Sequence, residues 1–321
     1  MSLSKKLSVI IPTYNRAGTL LKTLRALNNQ TLPRNEYEVV LVDDGSTEDL
    51  ASQIPSESYS YPIHIYRQDH RGPAAARNLG AQNAHGEVLL FLDSDMIADP
   101  DLLLQHRKTH QHHPGSLVVG PRSQFPGNEA LDPLQHFDYR PDGTDLRFEK
   151  QPLTFQEAFT CNLSIRCEDW QTMDGFDERM PSFEDIEFAY RVVKGGLSIV
   201  LNPAALCYHD HITNLKERCS RATSYTRTVP LLFQKHPELA GQIVHLRSKE
   251  PIDWKQDSLG LIARKLARRG LAFSPILHLM EWAFQRLHGN RRSIRWQQFL
   301  YWKIIGSYQW IGLQEGERIY R

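Results

Sequence analysis

The chain is poor in cysteine, with only Cys161, Cys167, Cys207 and Cys219 in 321 residues. No two of them form a C-x-x-C pair, which argues against a zinc ribbon or a dithiol redox site, and four in this length do not make a disulfide framework. Reduced thiols in a cytoplasmic protein are the expectation. Long apolar runs are also missing. No uncharged stretch reaches the roughly 18 residues that a membrane span needs. The opening MSLSKKLSVIIPTYN offers only about five apolar residues before Pro12, too few for a signal-peptide core. Net charge is close to zero at +1, so nothing in the overall balance suits a nucleic-acid partner. Internal repeats and low-complexity tracts are absent.

What is present is ordinary in amount and uneven in placement. The chain is 40% hydrophobic and 23% charged, as expected for a globular protein with one or two domains. Residues 246–321 hold 14 Lys and Arg against 6 Asp and Glu, while the part before them holds 24 against 31. An acidic front and a basic tail imply different partners for the two ends.

Strand and helix signals alternate over the first 120 residues. Apolar runs at 7–11, 38–42, 63–66 and 87–92 read as strands, the first stopped by Pro12. Residues 18–30 place Leu20, Leu21, Leu24 and Leu27 on one helical face, and 73–84 is Ala-rich with Pro in its first turn. Short strands spaced by helices indicate βαβ units and a mainly parallel α/β sheet. Residues 121–155, rich in Pro, Gly and Asp, read as a long surface connection. A segment at 161–166, a helix at 183–193 and a strand at 197–201 follow, and from about 215 the signals are helical.

Ligands of such sheets sit beyond the carboxyl ends of the strands, and three polar clusters fall there: Pro12-Thr-Tyr-Asn15, Asp43-Asp44 and LDSDM at 92–96. Two carboxylates one residue apart, Asp93 and Asp95, suit a hard divalent cation with a phosphate ligand, Mg²⁺ or Mn²⁺. Asp43-Asp44-Gly45-Ser46 is equally a turn or a carboxylate pair for base and ribose. Arg71-Gly-Pro-Ala-Ala-Ala-Arg-Asn puts Arg77 and Asn78 near a helix start that favours phosphate. Glu184, Asp185 and Glu187 open a helix, where acids complement the dipole or supply a general base. His209 and His211 share one face of an extended segment and either suits an octahedral metal. His106, His110, His112 and His113 form a second cluster that lacks acidic or thiol ligands and reads as a solvated helix end, not a zinc site.

Taken in order, SVIIPTYNR, VDDGS, GPAAARNLG, LDSDM, NLSIR, DGFDE, FEDIEFAYR and the His209 segment resemble family 2 nucleotide-sugar glycosyltransferases of GT-A fold, over about residues 5–215. The resemblance implies a Rossmann-like GT-A domain at 1–215, with a nucleotide-binding half at 1–120 and an acceptor half at 121–215, followed by a basic helical extension at 216–321. It implies an inverting, metal-dependent enzyme that moves a sugar from a nucleoside-diphosphate donor, UDP-linked first, to a saccharide or lipid-linked acceptor. Pro12, Thr13, Tyr14, Arg16, Asp43, Asp44, Arg77, Asn78, Asp93 and Ser94 would bind the donor, with Tyr14 as a stacking ring and Asp93 near the ribose. Asp95 and His209, with His211 as runner-up, would hold the metal. Asp185 matches the catalytic base, with Glu184 beside it. Trp170, Asp174 and Gly175 fall where the acceptor binds, although Asp174 stands where a second glycine is usual.

Two rivals remain at this level. A nucleotidylyltransferase would carry a glycine-rich basic loop right after the first strand, where this chain has PTYNR. A non-catalytic nucleotide-sugar-binding protein would not need the whole acidic set. The basic tail reads first as an appendage that buries its apolar face on the catalytic domain and leaves its charge solvated. A peripheral surface for anionic lipid at the inner membrane face is the alternative, and both can hold.

Overall fold

A computed structural model describes residues 5–54, 59–125, 134, 153–210, 213–240, 242–243, 252–287 and 293–320. The elements, in chain order, are β1 (Lys5–Thr13), α1 (Ala17–Leu27), β2 (Tyr37–Asp43), α2 (Leu50–Gln53), β3 (Ile63–Arg67), α3 (Pro73–Gln82), β4 (Gly86–Leu92) and β5 (Met96–Ala98). They continue with α4 (Leu102–His112), β6 (Ser116–Val119), β7 (Arg122–Gln124), β8 (Asn162–Arg166), α5 (Cys167–Thr172), α6 (Glu184–Lys194), β9 (Ser198–Leu201) and β10 (Cys207–His209). Among the described residues the chain closes with four long helices: α7 (Leu215–Lys235), α8 (Leu259–Leu271), α9 (Ser274–Leu287) and α10 (Ile294–Tyr320).

Seven strands form one sheet in the order β3-β2-β1-β4-β8-β6-β9. All neighbours are parallel except β8, which runs antiparallel to both β4 and β6. This is the mainly parallel α/β sheet that the alternating pattern implies. Its strands read as unbroken apolar runs because both faces are covered. Leu7, Val9, Ile11, Val39, Leu41, Leu90 and Leu92 pack in one core with Leu20, Leu24 and Leu27 of α1. Their sequence neighbours Ile10, Val40, Leu89 and Phe91 pack in a second core with Ala74 and Ala81 of α3. The period of two therefore divides each strand between two cores. Gly80 lets α3 lie close on the sheet, since a Cβ there would stand 2.6 Å from Ile10 Cγ2.

Three boundaries differ from the sequence reading. β1 does not stop at Pro12. It runs on to Thr13 paired with β2, while its ladder with β4 ends at Ile10, so the missing proline N–H falls beyond the β4 pairing. The expected surface connection at 121–155 begins with a strand, β7, which joins β10 and β5 in a three-stranded sheet; residues 126–133 and 135–152 lie outside the described residues. Of the four histidines read as a solvated helix end, His112 and His113 are exposed but the other two are not. His106 and His110 are buried, with His106 Nδ1 2.7 Å and His110 Nε2 2.8 Å from Ser164 Oγ, and His106 Nε2 2.8 Å from Asn162 Oδ1. Burial pushes His106 down to about 4, and burial with the neighbouring His106 and Arg166 pushes His110 down to about 3, so both are neutral core groups.

The chain divides into two compact units, Met1–Leu131 with Asp138–Ile212, and Asp132–Phe137 with Thr213–Arg321. The first holds both sheets. In the second, α7 starts with an Asn214–Glu217 capping box and lies along α10, where Gly312 and Gly316 allow close backbone approach. Cys219, Leu277, Met280, Phe284, Tyr301 and Ile304 form its core. Among the described residues no helix is long and apolar enough to cross a membrane.

Candidate active site

The carboxyl ends of β1, β2 and β4 deliver their polar residues to one rim. The first turn there is self-contained. Asp43 accepts from Ser46 N at 2.9 Å and from Arg67 Nη1 at 2.8 Å. Asp44 accepts from Gln68 Nε2, Arg71 N and Gly72 N, and His70 Nδ1 stands 2.9 Å from its Oδ2. Three donors thus meet this carboxylate, two at Oδ1 and one at Oδ2. Asp44 therefore holds the 68–72 loop. Asn15, at φ 52, caps the same turn through Ser46 Oγ and Thr47 N. Tyr14 is exposed and stacks on His70, ring centroids 4.1 Å apart.

The second cluster is electrostatic. Arg77, buried on α3, donates to Glu184 Oε1 at 2.7 Å and to Asp93 Oδ1 at 2.9 Å. It thereby ties the end of β4 to the start of α6. Asp93 and Glu184, with Asp185, hold its guanidinium charged despite the burial. Asp185 sits half-buried next to Glu184. Burial first, then the Glu184 carboxylate, pushes its carboxyl up to about 7, against the opposing pull of Arg77 and of the Ile186 N–H. Phe183, at φ 62, makes the left-handed corner that turns the chain into α6. Arg77 was expected near base or diphosphate; its two contacts make it the link between the acids.

The third cluster gathers around Asp95. Its Oδ2 takes Arg16 Nη1 at 2.5 Å and lies 3.7 Å from His209 Nε2. Pairing of His209 with Met96 across β10 and β5 sets that approach, and Asp210 N donates to the Asp95 carbonyl. His211 lies outside the described residues. Ser94 is buried, with its carbonyl taken by Thr23 Oγ1.

The loop after α5 forms the remaining wall. Asp174 and Gly175 are consecutive left-handed residues, φ 57 and 58, which is why glycine is favoured at both and why Asp is a tolerable replacement. A Cβ on Gly175 would lie 2.7 Å from Trp170 Cζ2. Trp170 is only 6% exposed and belongs to the core, so it offers no face to an acceptor as the sequence reading had it. Asn78 donates to the Phe176 carbonyl and accepts from Phe176 N, so it positions this loop. Arg191 does the same from α6: it donates to the carbonyls of Met173 and Gly175 and is held by Glu187. Sequence reading missed Arg191, His70 and Gln68, whose contacts with Met173, Gly175 and Asp44 lie 16 to 26 residues away in the chain, and it read Glu187 only as an acid opening α6, not as the partner of Arg191 one turn on.

Thr13 Oγ1 and Arg77 Nε at this rim are buried without a hydrogen-bond partner, as are Trp170 Nε1, His110 Nδ1, Arg166 Nε and Asp169 Oδ2. Such atoms are rare in folded proteins, and at the rim they leave a donor and a hydroxyl open to a ligand. The chemistry of the donor set fits Mn²⁺ or Mg²⁺. Among the described residues no group of three or more His, Cys, Asp or Glu is placed to hold a metal alone. One buried carboxylate and one imidazole match an ion that takes its other ligands from diphosphate and water.

Comparison with known proteins identifies the family and the fold. The family model described as Glycosyl transferase family 2 matches residues 8–169. Validoxylamine A glucosyltransferase of Streptomyces hygroscopicus subsp. jinggangensis is 29% identical over 273 residues, 74% of this chain and 62% of that protein. Pre-mycofactocin glycosyltransferase of Mycobacterium tuberculosis is 28% identical over 248 residues, 75% of this chain and 50% of that protein. The chain thus spans between half and two-thirds of the length of these relatives. Among solved structures, the mannosyltransferase PcManGT from Pyrobaculum calidifontis, in complex with GDP-Man and Mn²⁺, aligns with TM-score 0.60 at 19% identity, over 95% of this chain and 86% of that one. Residues 1–349 of S. aureus TarS, in complex with UDP-GlcNAc, align with TM-score 0.54 at 17% identity, over 98% of this chain and 93% of that fragment. The GT-A fold is shared with both.

Proposed function

This chain belongs to glycosyl transferase family 2, and we propose that it moves a sugar, with inversion, from a nucleoside-diphosphate donor to a hydroxyl of a saccharide or lipid-linked acceptor. The observation that carries this reading is the pair of acidic centres at one rim, Asp95 beside His209 and Asp185 beside Arg77-bound Glu184. The donor is UDP-linked in this proposal.

Asp95 and His209 would hold Mn²⁺ or Mg²⁺, which when bound offers Lewis-acid stabilisation of the departing diphosphate. Arg16, already on Asp95 Oδ2 at 2.5 Å, offers a fixed cation beside the same charge. Thr13 supplies a buried hydroxyl and Tyr14 an exposed ring at the β1 rim for the base. Asp185 takes the proton from the acceptor hydroxyl. Its carboxyl, pushed up to about 7, is a stronger base than an ordinary aspartate and still ionises near neutral pH. Arg77 keeps Asp93 and Glu184 in place and offsets their repulsion toward the base. A single base acting on the face opposite the leaving group gives inversion, as in single-displacement glycosidases.

The test is donor hydrolysis and transfer across UDP-, GDP- and dTDP-sugars with Mn²⁺ and with chelator. Metal-dependent release of a nucleoside diphosphate and an inverted product are expected. Absence of binding and turnover with every donor would reject the reading.

A further inference from the structure

Twelve of the fifteen large apolar side chains that are exposed among the described residues lie between Trp254 and Ile319, in the second unit. Their spacing is regular. On α9, Leu277, Met280 and Phe284 face the core, while Ile276, Leu279 and Trp282 form a second apolar row on the outside. On α10, Ile304 and Ile305 are buried, and Trp296, Phe299 and Trp302 form an exposed row three residues apart, each more than half exposed. Rows three residues apart stay within one face of a helix. A helix that needs only one buried face has no structural use for a second apolar stripe.

Cations interleave with these rings. Arg286 lies over Trp282 at 5.5 Å, and Lys303 lies over Phe299 at 5.2 Å. Arg295 adjoins Trp296, and α8 adds Arg264 and Arg269 beside exposed Leu266. Helices α8 to α10 hold eight Lys and Arg against three Asp and Glu. Two of those acids are used inside the unit, Glu281 by Tyr308 and Glu315 by Arg227. Arg264, Arg269, Arg286, Arg295 and Lys303 form no ion pair among the described residues.

We propose that the outer faces of α9 and α10, with the cations of α8, dock on an anionic lipid bilayer, lying in its interface. Tryptophan and phenylalanine suit the zone between headgroup and acyl chain, and neighbouring Lys and Arg meet the phosphates. The helices lie on the membrane and do not cross it, because none qualifies as a span. A second copy of the chain fits the surface less well. An isologous contact would bring one basic face against another with no acids to pair them.

The test uses the full chain with vesicles of phosphatidylcholine alone and of phosphatidylcholine mixed with phosphatidylglycerol. The variants are the exposed-ring triple Trp296→Ser, Phe299→Ser, Trp302→Ser and the charge pair Arg295→Glu, Lys303→Glu. Wild type should sediment with the anionic vesicles and far less with the neutral ones. Each variant should lose about tenfold or more in partitioning, with unchanged circular dichroism and unchanged donor hydrolysis in the absence of lipid. Wild type remaining in the supernatant with anionic vesicles, or the triple variant partitioning like wild type, overturns the proposal. A stable dimer in sedimentation equilibrium that the triple variant dissociates also overturns it, by assigning the surface to self-association.

Discussion

Arg77 and Glu184 stand 107 positions apart in the chain and meet at 2.7 Å, Nη1 to Oε1, both buried. The same guanidinium reaches Asp93, so one side chain joins the end of a central strand to the helix that carries Asp185. Arg77→Met keeps the bulk and removes the charge. It leaves a cluster of carboxylates without a counter-ion, and breaking a buried pair this way costs about 3 kcal/mol or more. Urea unfolding should show the midpoint drop at pH 8 and partly recover near pH 5, where Asp185, raised to about 7, is protonated and no longer adds to the repulsion. An unchanged midpoint would show that the cluster is not a stabilising link.

Asp185→Asn tests the base. The rate of transfer should fall by about 10²–10⁴-fold, while donor affinity by calorimetry changes little. A mutant with wild-type turnover would remove Asp185 from the mechanism.

The pH profile gives a second reading of the same residue. The base acts deprotonated and its carboxyl is raised to about 7, so kcat/KM should fall as pH drops through about 7. The residual activity of Asp185→Asn should lose that acid limb. For stability the sign is opposite. Because the folded state binds this proton more tightly than the unfolded chain, Asp185 favours folding at low pH and that contribution is lost as pH rises through about 7.

Asp95→Ala removes the buried carboxylate next to His209. Donor affinity should then become independent of Mn²⁺, measured by titration with and without chelator. Metal dependence equal to wild type would place the ion elsewhere.

His106 and His110 predict acid sensitivity of the first unit. Their folded values, about 4 and about 3, lie below the ordinary value of 6.5. The stability they allow is therefore present above 6.5 and lost as pH falls toward those values, at about 1.4 kcal/mol per pH unit for each. Denaturation at a series of pH values should show this slope, and His110→Gln should reduce it.

The main strands were legible because burial on both faces leaves an unbroken apolar run, as at Val39 to Val42. The helices α1 and α3 were legible from leucine spacing and from Pro73. Strands β5, β7 and β10 have three residues each and no period to detect; they exist through pairing with one another. The His106 and His110 environment was invisible for a related reason. Its partners Asn162 and Ser164 belong to β8, more than fifty residues on. Polar residues at strand ends marked the rim, but which acid meets which cation depends on packing between distant segments. Asp44, read as a base ligand, also accepts three hydrogen bonds from the 68–72 loop, partners that its place in the sequence did not reveal.

The alternation of cores across the large sheet has a consequence for how this domain accepts change. Val39 and Val40 are covalent neighbours, yet one belongs with α1 and the other with α3. Substitutions at such adjacent positions act on separate packing neighbourhoods, whereas Leu41 and Leu24, seventeen residues apart, share one. The strand backbone thus behaves as a partition wall. Drift on one side of it can proceed with little compensation on the other, so the packing under α1 and the packing under α3 can change one at a time.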